Sequence, residues 1–132
     1  MNTLMKGNSP LGMIYNQSAE NIAYDNNNSV KDMIDVKSVT ITNQSSEINY
    51  ITAFRIGKLV VIEFGLYEAS ANTTLFTVEQ SARPSSNKSI SQWLPTNASS
   101  YGTKNFTLNS SNGNVICTNE VFRGTVWLIY TI

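Results

Sequence analysis

From about residue 38 onward, apolar and polar side chains alternate with a period of two. Ile48, Tyr50, Thr52, Phe54 and Ile56 fall on one side of an extended segment, with Asn49, Ile51, Ala53 and Arg55 on the other, the pattern of a half-buried strand. Gly57-Lys58 interrupts it, and LVVIEFGL follows, with Val60, Ile62, Phe64 and Leu66 opposite Leu59, Val61 and Glu63. Two strands around a short glycine turn predict a β-hairpin. Further strands are expected over residues 73–78, 88–94, 105–108, 114–117 and 121–130, and Asn112-Gly113 within NSSNGNV is a strong hairpin signal. Roughly seven or eight short strands, with no helical periodicity after residue 40, predict an all-β fold, an antiparallel β-sandwich or jelly roll. The lack of crossover helices excludes a parallel α/β sheet.

The last segment, VFRGTVWLIYTI, is apolar on both sides from Val126 onward: Trp127 and Ile129 on one, Val126, Leu128 and Tyr130 on the other. Such a strand is expected to be buried on both faces. Left at an open sheet edge, its uncharged, proline-free composition would favour aggregation. Either a subunit interface covers the second face, with Trp127 and Ile129 inside it, or the strand is central and lies under a long loop.

Residues 1–37 have a different pattern. After a Gly/Pro/Asn-rich start and the polar stretch YDNNNS, SVKDMIDVK predicts one short helix over 29–37. Ser29 can cap it, Asp32 sits near its positive end, and Val30, Met33, Ile34 and Lys37 share a face. A helix this short is below the roughly 12 to 15 residues needed for marginal stability alone. Val30, Met33 and Ile34 must therefore pack, either on the following domain or on identical helices at a symmetry axis. The expected organisation is an N-terminal extension with a short helix over 1–37 and a β-sandwich head over 38–132.

The stretch FTVEQSARPSS, residues 76–86, reads as a corner: Phe76 and Val78 finish a strand, and Pro84 biases Arg83 toward extended backbone. The alternative is a ligand loop that uses Glu79 and Arg83.

Composition narrows the function. A chain of 132 residues, 41% hydrophobic, supports one main core. Nine basic and nine acidic residues balance, which argues against a nucleic-acid backbone or a polybasic membrane surface as partner. Only 14% of residues are charged, and Asn, Ser and Thr supply the polarity, which suits a β-rich binding or structural protein. There is no His and a single cysteine, Cys117, so no intrachain disulfide, Cys/His zinc site or His-dependent triad can form. Cys117, between Ile116 and Thr118, is expected to be a small buried hydrophobe. The first fifteen residues lack the apolar core of a signal peptide, and no run approaches a membrane span of roughly 18 apolar residues.

Two stretches resemble tail proteins of bacteriophages that infect Gram-positive bacteria. NIAYDNNNSVKDMID is similar to the collar segment that precedes trimeric heads in receptor-binding, baseplate and tail-fibre proteins. FRIGKLVVIEFGL, NTTLFTVEQSARPSSNKSISQWLP and NGNVICTNEVFRGTVWLIYTI are similar to their C-terminal heads. Together they cover roughly residues 18–132. Lys58 stands where Asn is usual, Val78-Glu79 replaces Leu-Pro, and Ala82 stands where Tyr is common. The resemblance implies a homotrimer with a collar helix at the three-fold axis and a jelly-roll-like head. It further implies a place in the phage tail beside other tail or baseplate proteins, and attachment of the virion to host cell-wall saccharide without catalysis. It also implies that the Arg-Pro-Ser corner is architectural, with Arg83 pairing with a carboxylate or carbonyl inside the trimer.

For saccharide binding, sugar C–H groups stack on an aromatic face while short polar groups meet the hydroxyls. SQWLPTNASSYG supplies Trp93, Asn97, Ser99, Ser100 and Tyr101 in one stretch. The competing reading puts Trp93 in the core beside a merely solvated loop. Hydrolysis would require two carboxylates facing one sugar, and Glu47, Glu63, Glu68, Glu79 and Glu120 are scattered along the head. YDNNNS, with one carboxylate, falls short of a calcium loop, and no metal or cofactor is expected.

Overall fold

The computed structural model describes residues 35–132, and residues 36–132 form one compact unit. It is all-β, two antiparallel sheets packed face to face. The first sheet has the order β1 (Val36–Ser38), β3 (Ile48–Ile56), β4 (Leu59–Ala69) and β9 (Val121–Thr131). The second has the order β2 (Ile41–Thr42), β5 (Thr73–Val78), β8 (Asn114–Cys117), β7 (Tyr101–Leu108) and β6 (Lys88–Pro95). Strands β5 to β8, in the spatial order 5-8-7-6, form a Greek key. The direct hairpins β3–β4, β6–β7 and β7–β8 replace most of the sheet-to-sheet crossings of a jelly roll, so the connectivity is not jelly-roll-like.

The period-two pattern decides which side of each strand is buried. On β4, Val60, Ile62, Phe64 and Leu66 are buried, and Leu59 is exposed on the other side. The hairpin closes at Gly57-Lys58 with Ile56 opposite Leu59. Phe64 crosses the space between the sheets and meets Phe76 and Phe106 edge-on, at centroid distances of 5.0 and 5.9 Å. Such ring pairs add about 0.5–1.5 kcal/mol each beyond area burial, so Phe64 is the central bolt of the core. A bulge in β5 between Thr74 and Phe76 turns both Leu75 and Phe76 inward, which strict alternation would forbid. Cys117 is buried as its apolar setting implies, and burial pushes its thiol above the ordinary range.

Three further sequence expectations need correction, and another falls outside the described residues. Val36 and Lys37, placed at the end of the helix over 29–37, belong instead to β1, where they pair with Ile56 and Arg55; backbone pairing at a sheet edge overrides the weak helical pattern. Val30, Met33 and Ile34 lie outside the described residues. Strand β7 begins at Tyr101 rather than 105, because Lys104 points inward and hides the alternation. Finally, β9 is not the central strand that one of the two readings required. It is the edge strand of its sheet, with Trp127 48% and Ile129 59% exposed in the single chain.

Candidate functional site

The Phe76–Ser86 segment is a structural corner. After β5 the chain makes a single 3-10 turn, Gln80–Ala82, and leaves in extended conformation at Arg83, as a residue before proline should. Glu79 accepts the Thr40 backbone N–H at 2.6 Å and the Ser81 hydroxyl at 3.0 Å. Arg55, on β3, donates to the Ser81 carbonyl at 2.9 Å, and the buried Tyr130 hydroxyl donates to the Ala82 carbonyl at 2.7 Å. Arg83 donates through Nε to the Val78 carbonyl at 3.0 Å and through Nη1 to the Ser111 carbonyl at 2.9 Å. Gly113 makes room for it: at φ +79° its backbone lies against the Val78 carbonyl, and a Cβ there would come within 2.6 Å of Arg83 Nε. Arg83 thus finds its carbonyls within its own chain, and the expected pairing across a trimer is not needed to satisfy these donors.

The predicted saccharide stretch forms the β6–β7 hairpin. Trp93 is 67% and Tyr101 60% exposed, so the core reading of Trp93 is overturned. Trp93 stands opposite Thr103, and Tyr101 opposite Pro95 two residues further along β6. All four therefore share the outward face, with the two aromatic rings in diagonal positions that long side chains span. Ser89, Ser91, Asn105 and Thr107 continue that face along the same two strands, and Ser91 hydrogen-bonds Asn105 across them.

The connecting loop contributes less than its composition promised. Asn97 Oδ1 accepts the backbone N–H groups of Ser99 and Ser100 at 2.9 and 3.0 Å, and Thr96 N–H donates to the Ser100 carbonyl at 2.8 Å. The carbonyl of the Asn97 side chain is thus occupied in forming its own turn. Trp93 and Tyr101 form the platform; Asn97, Ser99 and Ser100 build the turn at its end.

Two cavities that the sequence did not announce lie beside this hairpin. The first, of about 380 Å³, is lined by Asn49, Tyr50, Gly65, Tyr67, Arg123 and Thr125 of the first sheet, and by Pro95 of the platform strand. The second, of about 260 Å³, is lined by Glu68, Ser70, Thr96, Glu120 and Phe122. Of the five acidic residues singled out from the sequence, Glu79 belongs to the corner and Glu63 stands opposite Trp127 on the outer sheet face. Glu68 and Glu120 are brought together at the second cavity. The sequence predicts a regular alternation over 48–56, and the bulge at Asn49 that helps to form the first cavity is seen only in the strand register. Comparison with protein-family models, curated proteins and solved structures finds no match.

Proposed function

We propose that this domain is a non-catalytic saccharide-binding attachment head, the distal part of a homotrimeric phage tail-fibre or baseplate protein that fixes the virion to the wall of its host. The observation that carries the reading is the aromatic pair Trp93 and Tyr101, exposed together at the end of a sheet face made of Ser, Thr and Asn. A tryptophan exposed on a strand adds little burial to the core, whereas a sugar ring stacked on it gains dispersion and C–H contacts while hydroxyls and amides around it exchange hydrogen bonds.

The trimer has separate support. The outer face of the first sheet carries Val36, Leu59, Trp127 and Ile129 exposed, and apolar surface gathered on one face of a soluble domain marks an interaction site. Three weak sites held together would act with avidity, which can exceed single-site affinity by about 10² to 10⁴. The collar helix over residues 29–37 and the place in the virion rest on the tail-protein resemblance.

The test is binding of the full chain to host cells and to purified wall polysaccharide. Trp93→Ala should weaken each site about five- to tenfold, the equivalent of about 1–1.4 kcal/mol, with no change in thermal midpoint. Undiminished binding would remove Trp93 from the site. No binding by the intact chain would favour a purely structural tail subunit, and release of reducing ends from the polysaccharide would replace the adhesin with an enzyme.

A further inference from the structure

The cavity on the first sheet has the chemistry of a second ligand site, and it is made by a local departure from regular sheet structure. In β3, Ile48 pairs with Leu66 and Tyr50 with Gly65, so Asn49 is an extra residue in a bulge. Bulges re-aim side chains beside functional sites, and Asn49 lines the cavity. The bulge is matched by Gly65 on the neighbouring strand, where a Cβ would come within 2.5 Å of the Tyr50 ring. The missing side chain lets the Tyr50 ring settle over the β4 backbone. Its hydroxyl is then fixed by a 3.1 Å hydrogen bond with Thr125 Oγ1.

The other wall is a directly opposed cross-strand pair, Tyr67 and Arg123. The Arg123 guanidinium lies 5.2 Å from the centroid of the Phe122 ring, and that ring lies 6.2 Å from Tyr67. This cation–π contact orients the guanidinium but occupies none of its N–H donors in the ring plane. Among the described residues Arg123 has no carboxylate in ion-pair range and no hydrogen-bond acceptor. Two tyrosine rings, an amide, a hydroxyl and an arginine with free donors therefore line one cavity of about 380 Å³. That is within the size range of small-ligand sites and ample for one pyranose ring.

We propose that this groove binds an anionic sugar residue, its ring against Tyr50 or Tyr67 and its carboxylate or phosphate against Arg123. Arginine meets either anion with parallel N–H donors, a geometry that a neutral sugar cannot exploit. Pro95 belongs both to the Trp93–Tyr101 platform and to the groove, so an oligosaccharide can run from the one to the other across the β6 edge. The neutral residues of the chain lie on the platform, and the charged residue lies in the groove. The assignment rests on the saccharide-binding reading for its class of ligand, and it adds the charge that ligand carries and the residue that reads it.

The experiment is an amide NMR titration of the full chain with glucose, glucuronic acid, glucose 6-phosphate, inorganic phosphate and acetate. Glucuronic acid or glucose 6-phosphate should shift the amides of Tyr67, Arg123, Gly124 and Thr125, and Arg123→Gln should weaken that response at least tenfold. The response of the Trp93 indole to glucose should be the same in Arg123→Gln as in the parent, which also shows that the variant is folded. Three results overturn the proposal: equal binding of the anionic sugars to Arg123→Gln, equal shifts from inorganic phosphate or acetate alone, or no shift in the groove with any sugar. A silent Trp93 indole alongside a responsive groove would instead count against the platform, so the two sites stand or fall separately.

Discussion

The two sheets of this sandwich share one core and present opposite outer faces. The outer face of the four-stranded sheet carries exposed Val36, Leu59, Trp127 and Ile129. The five-stranded sheet presents Ser89, Ser91, Thr103, Asn105 and Thr107 on β6 and β7, with Thr77 linking Asn43 and Asn114 by side-chain hydrogen bonds of 3.2 and 2.9 Å. Both faces satisfy the same inward requirement, alternate apolar residues meeting at Phe64, Phe76 and Phe106. The difference is therefore not imposed by folding. A hydroxyl and amide surface stays hydrated as it is, whereas an apolar surface is stabilised only by covering it. The end of the first face that carries Val36, Leu59, Trp127 and Ile129 is suited to protein contact, and the other end of the same face holds the groove of Tyr50, Tyr67 and Arg123. The second face is suited to a hydrated ligand, with the aromatic platform at its end.

Charging each face in turn is the strongest way to break this contrast. Under the proposed trimer, Trp127→Asp with Ile129→Asp should leave only monomers in light scattering, since interface anchors contribute about 2–4 kcal/mol each. Thr103→Asp, at an exposed position on the other sheet, should leave the mass unchanged. A parent chain that is already monomeric, or equal behaviour of the two variants, would abolish the distinction between the faces.

Arg83→Ala tests a residue whose role changes between the two readings. Its guanidinium bonds two backbone carbonyls of its own chain, Val78 and Ser111, and charged hydrogen bonds of this kind contribute about 1.5–3 kcal/mol. Chemical denaturation should show a loss of about 2–3 kcal/mol with no change in subunit number. Loss of assembly at unchanged intrinsic stability would instead put Arg83 in the interface with Trp127 and Ile129.

Much of the fold was legible because strand-forming runs and turn signals alternate along the chain. Residues 48–56, 73–78 and 114–117 were assigned as strands, and these are the bounds of β3, β5 and β8. The bulges in β3 and β5 shift which side chains face inward, so that Ile51 and Ala53 rather than Tyr50 and Thr52 join Ile48 on the core side. The failures have local causes. Strand β2 has only Ile41 and Thr42 to show a pattern, and Lys104 breaks that of β7 by turning its aliphatic stem inward. The apolar second side of β9 was visible, but sequence could not tell a central strand from an edge strand, because sheet order depends on contacts distant along the chain. The site divides in the same way. Trp93 and Tyr101 were singled out because they lie in one short stretch, whereas Tyr50, Tyr67 and Arg123 meet only because β3, β4 and β9 are adjacent.

The smallest expected effect concerns the edge where the two faces meet. Strand β9 ends its sheet, and an unpaired edge beside exposed Trp127 and Ile129 invites pairing with another chain. Gln92, pointing inward from β6, reaches across the sandwich, donates through Nε2 to the Thr125 carbonyl and receives a long bond from the Trp127 N–H at 3.4 Å. Its side-chain amide thus replaces a short piece of the missing strand. Gln92→Leu keeps the apolar stem and removes both bonds, so the thermal midpoint should fall by the equivalent of about 1 kcal/mol. Heating at high concentration should also bring earlier aggregation than in the parent. Ser91→Ala, one residue away but facing outward, removes only the bond to Asn105 and should cost about 0.5 kcal/mol or less at an exposed site, with no earlier aggregation. If the two variants aggregate alike, Gln92 is not what protects β9, and the apolar face must be guarded by assembly alone.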